Sequence, residues 1–117
     1  MIEFNKAYKN ILVTGGAGAI GGNLVKALLA KTGARIIVLD DLSSGYRDNL
    51  PDDERVIFIN ADISDGNALE QCAEYNVDII YHLAAFFANQ NSVFLLRSRL
   101  SVPQSYRQPI LVRILIT

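Results

Sequence analysis

The sequence predicts an α/β fold: a doubly wound parallel sheet with helices on both faces. Three observations predict it. Short apolar runs recur along the first 83 residues, and each is continuous rather than alternating. Stretches of helical pattern separate those runs. The first run breaks into a glycine cluster just before the first helical stretch. Continuous apolar strands are buried on both faces, and strands that alternate with helices pair in parallel.

Ile11 to Thr14 is the first strand. Gly16, Gly18 and Gly21 spell G-x-G-x-x-G, while Thr14, Gly15, Gly18 and Gly21 spell T-G-x-x-G-x-x-G. Glycines so spaced make a tight turn, let backbone approach a pyrophosphate, and let the helix pack close to the strand. The pyrophosphate then rests on the free N–H groups at the positive end of the helix. Here the glycines follow a strand and open a helix, which is the context that gives such a motif weight. Asn23 to Lys31 continues the first helix, with Leu24, Ala27, Leu28 and Lys31 at helical spacing and Gly33 as its stop.

Arg35 to Asp40 is the second strand, and it ends in a carboxylate 19 residues after Gly21. That is close to the separation expected of an acid that holds an adenosine ribose. A carboxylate there accepts from both ribose hydroxyls and repels a 2′-phosphate, and Asp41 deepens the negative potential. NAD is therefore favoured over NADP. The alternative is a glycine-rich turn in another α/β fold, with Asp40 capping a loop. A phosphate loop of the NTPase kind is disfavoured, because Asn23 and Leu24 stand where Lys and Ser or Thr are needed.

Ser43 to Glu54 reads as loop, with room for one turn of helix. Val56 to Ile59 is the third strand. Asp65 or Ser64 caps a helix over Ala68 to Tyr75. Asp78 to Leu83 is the fourth strand, and His82 reads as a structural residue at its end rather than a base. The expected spatial order is 3-2-1-4, with right-handed crossovers.

A chain of 117 residues, half of them apolar, suits one small domain. Its net charge of −1 does not call for nucleic acid. Met1 to Lys6 has no secretory apolar region, and no apolar run reaches the length of a membrane span. The reading is a cytoplasmic protein. Cys72 is the one cysteine and His82 the one histidine, so an internal disulfide is excluded and a metal-ligand cluster is unsupported.

Composition changes near the end. Residues 1–92 carry seven basic against twelve acidic residues, whereas 93–117 carry four arginines and no acid, lysine or glycine. The chain therefore divides into 1–92 and an atypical tail, 93–117. A basic amphipathic tail is disfavoured, because Pro103 and Pro109 interrupt any helix. The remaining readings are an irregular tail and translation in another reading frame from Val93. In the tail, Gln104 to Pro109 reads as loop and Ile110 to Ile116 as the one candidate strand. Arg113 is awkward in a strand buried on both faces. The outer edge of the fourth strand is then expected to stay unpaired.

Four segments carry a resemblance. Thr14 to Gly21, Leu39-Asp40-Asp41-Leu42-Ser43-Ser44-Gly45, Asn60 to Asp65 and His82-Leu83-Ala84-Ala85 follow the order and spacing of the extended short-chain dehydrogenase/reductases. Over residues 9–92 the chain resembles the NAD-dependent epimerase/dehydratase group, and Asp-x-Leu-Ser-Ser-Gly is similar to UDP-glucose 4-epimerases. The resemblance implies the N-terminal half of a Rossmann domain. It implies that Gly15, Gly18 and Gly21 line the pyrophosphate, with Ala19 and Ile20 offering backbone. Asp40 would hold the adenosine ribose, with Ser44 and Gly45 beside it. Asp62 and Ile63 would flank the adenine, and Leu83, Ala84 and Ala85 would pass under the nicotinamide-side ribose.

Enzymes of this group use a Tyr base with a Lys four residues later. None of the five tyrosines has one, and no lysine follows Lys31. No catalytic residue is assigned. The resemblance implies the NAD-binding part of a nucleotide-sugar epimerase or dehydratase, catalytically incomplete by itself. The alternatives are a non-catalytic dinucleotide-binding or sensing module and a non-functional remnant.

Overall fold

The computed structural model describes residues 7–43, 45–84, 96, 100 and 111–116. Five strands form one sheet: β1 Asn10–Thr14, β2 Arg35–Asp40, β3 Val56–Asn60, β4 Ile79–Ala84 and β5 Leu111–Ile116. Their order is β3-β2-β1-β4-β5, and every neighbouring pair is parallel. The expected order 3-2-1-4 is therefore found. Helix α1, Ala19–Lys31, follows β1, and α2, Gly66–Ala73, precedes β4.

Side chains alternate across the sheet and build two cores, as the pleat requires. Ile11, Val13, Ile36, Val38, Ile79 and Tyr81 face α1 and meet its Leu24, Val25 and Leu28. Leu12, Ile37, Leu39 and Ile80 face the other way and meet Ala68, Leu69 and Cys72 of α2. The buried stripe of α1 is Gly21, Gly22, Leu24, Val25 and Leu28. Lys31 is exposed, so the stripe expected from sequence was rotated towards the glycines. The glycines explain the shift, because they let the first turn of the helix lie against the strand.

The end of α1 is also made differently from the expectation. Thr32, in extended conformation, is the cap, and its N–H and hydroxyl both donate to Leu28 O. Arg55, from the turn just before β3, reaches across. Its guanidinium donates to Leu29 O at 2.8 Å and to Thr32 O at 2.9 Å. A cation thus satisfies carbonyls left open at a helix C-terminus. Of the two candidate caps for α2, Asp65 takes the role: its carboxylate accepts from the N–H groups of Asn67 and Ala68.

The outer edge of β4 is not left unpaired. β5 lies beside it in register from Ile79–Leu111 to Ala84–Ile116. Backbone N–H and C=O groups make that pairing, so an unusual composition does not prevent it. Val112 closes a row that runs Ile57, Ile37, Leu12, Ile80, Val112 across the sheet. Arg113 pairs with Tyr81 and is exposed. Its charge is tolerated because β5 is the outermost described strand and this side chain reaches solvent. Leu96 and Leu100, four residues apart and both helical, are buried in the core on the α2 side. The segment Gln104 to Pro109, read as loop from sequence, lies outside the described residues.

Candidate functional site

The site opens at the C-terminal ends of β1, β2 and β4, where an open parallel sheet forms its crevice. β1 ends at Thr14, and the chain turns at Gly15. Gly15 adopts φ +76°, a left-handed conformation that glycine accepts without strain. Its N–H donates to Leu39 O at 2.9 Å, which ties the turn to the end of β2. The helix then starts at Ala19 with Gly18 as its cap, and no side chain occupies the first N–H groups. Those donors, with the helix dipole behind them, form an anion site.

Gly21 decides how close the helix comes. A Cβ there would stand 2.3 Å from Gly15 O and 2.7 Å from Gly16 Cα. Such distances are impossible, so any side chain pushes α1 off the turn. Ile20, next to it, is 56% exposed and faces the opening.

Asp40 ends β2 and holds two loops at once. One carboxylate oxygen accepts from Ala17 N–H at 2.9 Å, the other from Leu42 N–H at 2.8 Å. Each carboxylate oxygen has two lone-pair sites, so both keep capacity for a hydroxyl. Leu42, at φ +63°, turns the chain away from the strand end. The adjacent Asp41 is exposed and accepts from Ser43 N–H, which holds its carboxyl below the usual range.

A cavity of about 450 Å³ joins these parts. Gly15, Gly18, Ala19, Ile20 and Gly21 form one wall. Asp40, Asp62, Ile63 and Leu83 form the others. Nine residues singled out in the sequence therefore meet around one opening. Asp62 is exposed, and its carboxylate accepts from the Ser64 hydroxyl at 2.9 Å. Gly45 does not line the cavity; it packs behind the turn against Ala17. Ala84 is the last residue of β4. Ser44 and Ala85 lie outside the described residues.

Sequence reasoning missed several lining residues, among them Thr14, Leu39, Ala61 and His82. Position could have found them: each stands within two residues of the C-terminal end of a strand. Thr14 and His82 are register partners, and the Thr14 hydroxyl and His82 Nδ1 share a hydrogen bond. Burial pushes the imidazole pKa down, which favours the neutral ring where it lines the cavity. Among the described residues, no group of three His, Cys, Asp or Glu could hold a metal ion. No helix among them is long and apolar enough to cross a membrane.

Comparison with known proteins agrees with this geometry. The profile of the NAD dependent epimerase/dehydratase family matches residues 11–94. A UDP-glucose 4-epimerase of Mycolicibacterium smegmatis is 44% identical over 85 residues, which are 70% of this chain and 27% of the relative. Among solved structures, an epimerase from Methanothermobacter thermautotrophicus is 48% identical. The match has a TM-score of 0.63 and covers 74% of this chain and 25% of that one. A Thermus thermophilus UDP-glucose 4-epimerase in complex with NAD is 32% identical, with a TM-score of 0.61, covering 78% and 32%. The chain thus spans about a quarter of the length of the curated relatives it matches.

Proposed function

The chain belongs to the NAD-dependent epimerase/dehydratase family, and from that premise we propose that it is the NAD-binding front part of a nucleotide-sugar epimerase or dehydratase. The observation that carries the reading is the clasp of Asp40 on the glycine turn. One carboxylate both shapes the anion site, through Ala17 N–H, and faces the cavity with lone pairs to spare.

The residues present fit a dinucleotide. Gly21 lacks the Cβ that would close the cradle, and the helix start leaves its N–H groups open to a pyrophosphate. Asp40 is placed to accept from the adenosine ribose, with Asp41 adding charge that opposes a 2′-phosphate. Asp62, Ile63 and Leu83 line the same cavity, where the first two would flank the adenine and the third would pass under the nicotinamide-side ribose. Bound NAD would supply a hydride acceptor, and in the whole enzyme a sugar carbon would be its donor. The chain's own part is binding, orientation and exclusion of water. No tyrosine in these residues has a lysine four positions on. These 117 residues alone are therefore expected to bind without turnover, which also keeps open a dinucleotide-binding module without chemistry.

Isothermal titration with NAD and NADP tests the reading. NAD should bind more tightly in the unchanged protein. Asp40→Asn keeps the shape but removes the charge and turns one of the two accepting oxygens into a donor, so it should weaken NAD by about tenfold or more and narrow the preference. Equal affinity for the two cofactors in the unchanged protein would overturn the ribose assignment. Steady turnover of UDP- or dTDP-sugars by the 117 residues would overturn the incompleteness.

A further inference from the structure

We propose that Asn49 is a positioning residue for the pyrophosphate of the dinucleotide, acting through the carbonyl of Ala17; the inference rests on the dinucleotide-binding reading above. Ala17 lies in the glycine turn and is fully buried. Its N–H donates to Asp40 Oδ2. Its carbonyl oxygen accepts twice: from Tyr46 N–H at 3.0 Å and from Asn49 Nδ2 at 2.7 Å. All three partners come from the end of β2 and the connection that follows it. Both backbone polar groups of Ala17 are thus held from outside the turn.

The consequence is electrostatic. The Ala17 carbonyl is joined to Gly18 N, at the cap of α1. With both lone pairs of its oxygen engaged, this peptide cannot rotate to present oxygen to the cavity. The bound anion then meets N–H donors rather than a carbonyl lone pair. Gly45 makes the approach possible, since a Cβ there would stand 2.5 Å from Ala17 O. The Asn49 side chain is not needed for its own turn. Backbone bonds from Asn49 N to Tyr46 O and from Leu50 N to Arg47 O already close the 3-10 helix Arg47–Asn49. Its amide is spent on the glycine turn instead.

The test compares two ligands and one ligand-free signal. Adenosine carries no pyrophosphate; ADP-ribose does. In Asn49→Ala, affinity for ADP-ribose should fall about three- to tenfold, the loss expected of one hydrogen bond, while adenosine should change by less than about twofold. Exchange of the Tyr46 amide should rise in the same variant without ligand. Equal losses for both ligands mean general loosening and overturn the inference, and so does no loss for either. Should Asn49→Ala fail to fold, the unchanged protein decides. Tyr46 amide protection matching that of β1 supports the clamp, and exchange at the rate of an open loop overturns it. Failure of ADP-ribose to bind the unchanged protein overturns the dinucleotide reading and the role of Asn49 with it. Binding that is indifferent to Asn49→Ala overturns Asn49 alone.

Discussion

The flank of the sheet from β1 to β3 and the flank from β4 to β5 share one backbone pattern and differ in what reinforces it. Towards β3, side chains reach between segments distant in sequence. Asp40 binds Ala17, Asn49 binds Ala17, and Arg55 binds the end of α1. On the other flank, β4 is still tied to β1 by side chains: the Asp78 carboxylate accepts from Lys9 and Asn10 N–H, and Thr14 stands beside His82. The described attachment of β5 to β4, by contrast, is a parallel ladder, one buried valine and an exposed arginine. Every residue but proline can make the ladder; only particular residues can make the clasps. Motifs are therefore concentrated on the first flank and at the end of β4, and β5 is recognisable only as a short apolar run.

The sharpest break is expected at Gly21. Gly21→Val forces a side chain into Gly15 O, so stability should fall by about 3 kcal/mol or more, with NAD affinity lost. Urea unfolding and titration would measure both. A folded variant that still binds would mean that the helix does not need its close approach.

The next contrast lies within one core. Leu12 of β1 and Val112 of β5 belong to the same cluster, 0% and 9% exposed. Leu12→Ala should cost about 3 kcal/mol, as for a fully buried leucine. Val112→Ala should cost about 1.5 kcal/mol, the value of two lost methyl groups at a less enclosed site. Chemical denaturation of both variants checks this. Equal costs would mean that β5 is as integral to the core as β1, and the difference between the flanks would disappear.

The smallest effect is expected from pH. His82 has a folded pKa pushed below 6.5 by burial. In the window between the two values the unfolded chain binds more protons, so stability rises with pH there. The contribution is complete above 6.5 and is lost as pH falls through the folded value. Melting temperature should therefore drop from about pH 7.5 to about pH 5.5, and His82→Gln should flatten the slope. An unchanged melting temperature in the parent protein would place the imidazole in a wetter setting than the cavity lining.

Much of the architecture was legible in the residues themselves. Continuous apolar runs marked β1 to β4, and β2 was read with the bounds it has, Arg35–Asp40. The glycine spacing and the carboxylate after β2 located the site, because a tight turn and a close helix leave few residue types to choose from. The buried stripe of α1 was read less well. Period alone gave weight to Lys31, whereas the glycines let the helix roll its first turn onto the strand.

What the sequence determined by itself is local: where strands run, where the chain must turn, and which acid follows β2. What the tertiary structure decided is which groups from distant segments meet. Asn49 on the Ala17 carbonyl, Arg55 on the end of α1, Thr14 beside His82 and β5 along β4 all depend on separations that no local pattern records. The physical reason is that hydrogen-bonding groups are common to many residues. Their partners are set by the packing of the sheet, and that packing exists only once the whole chain has folded.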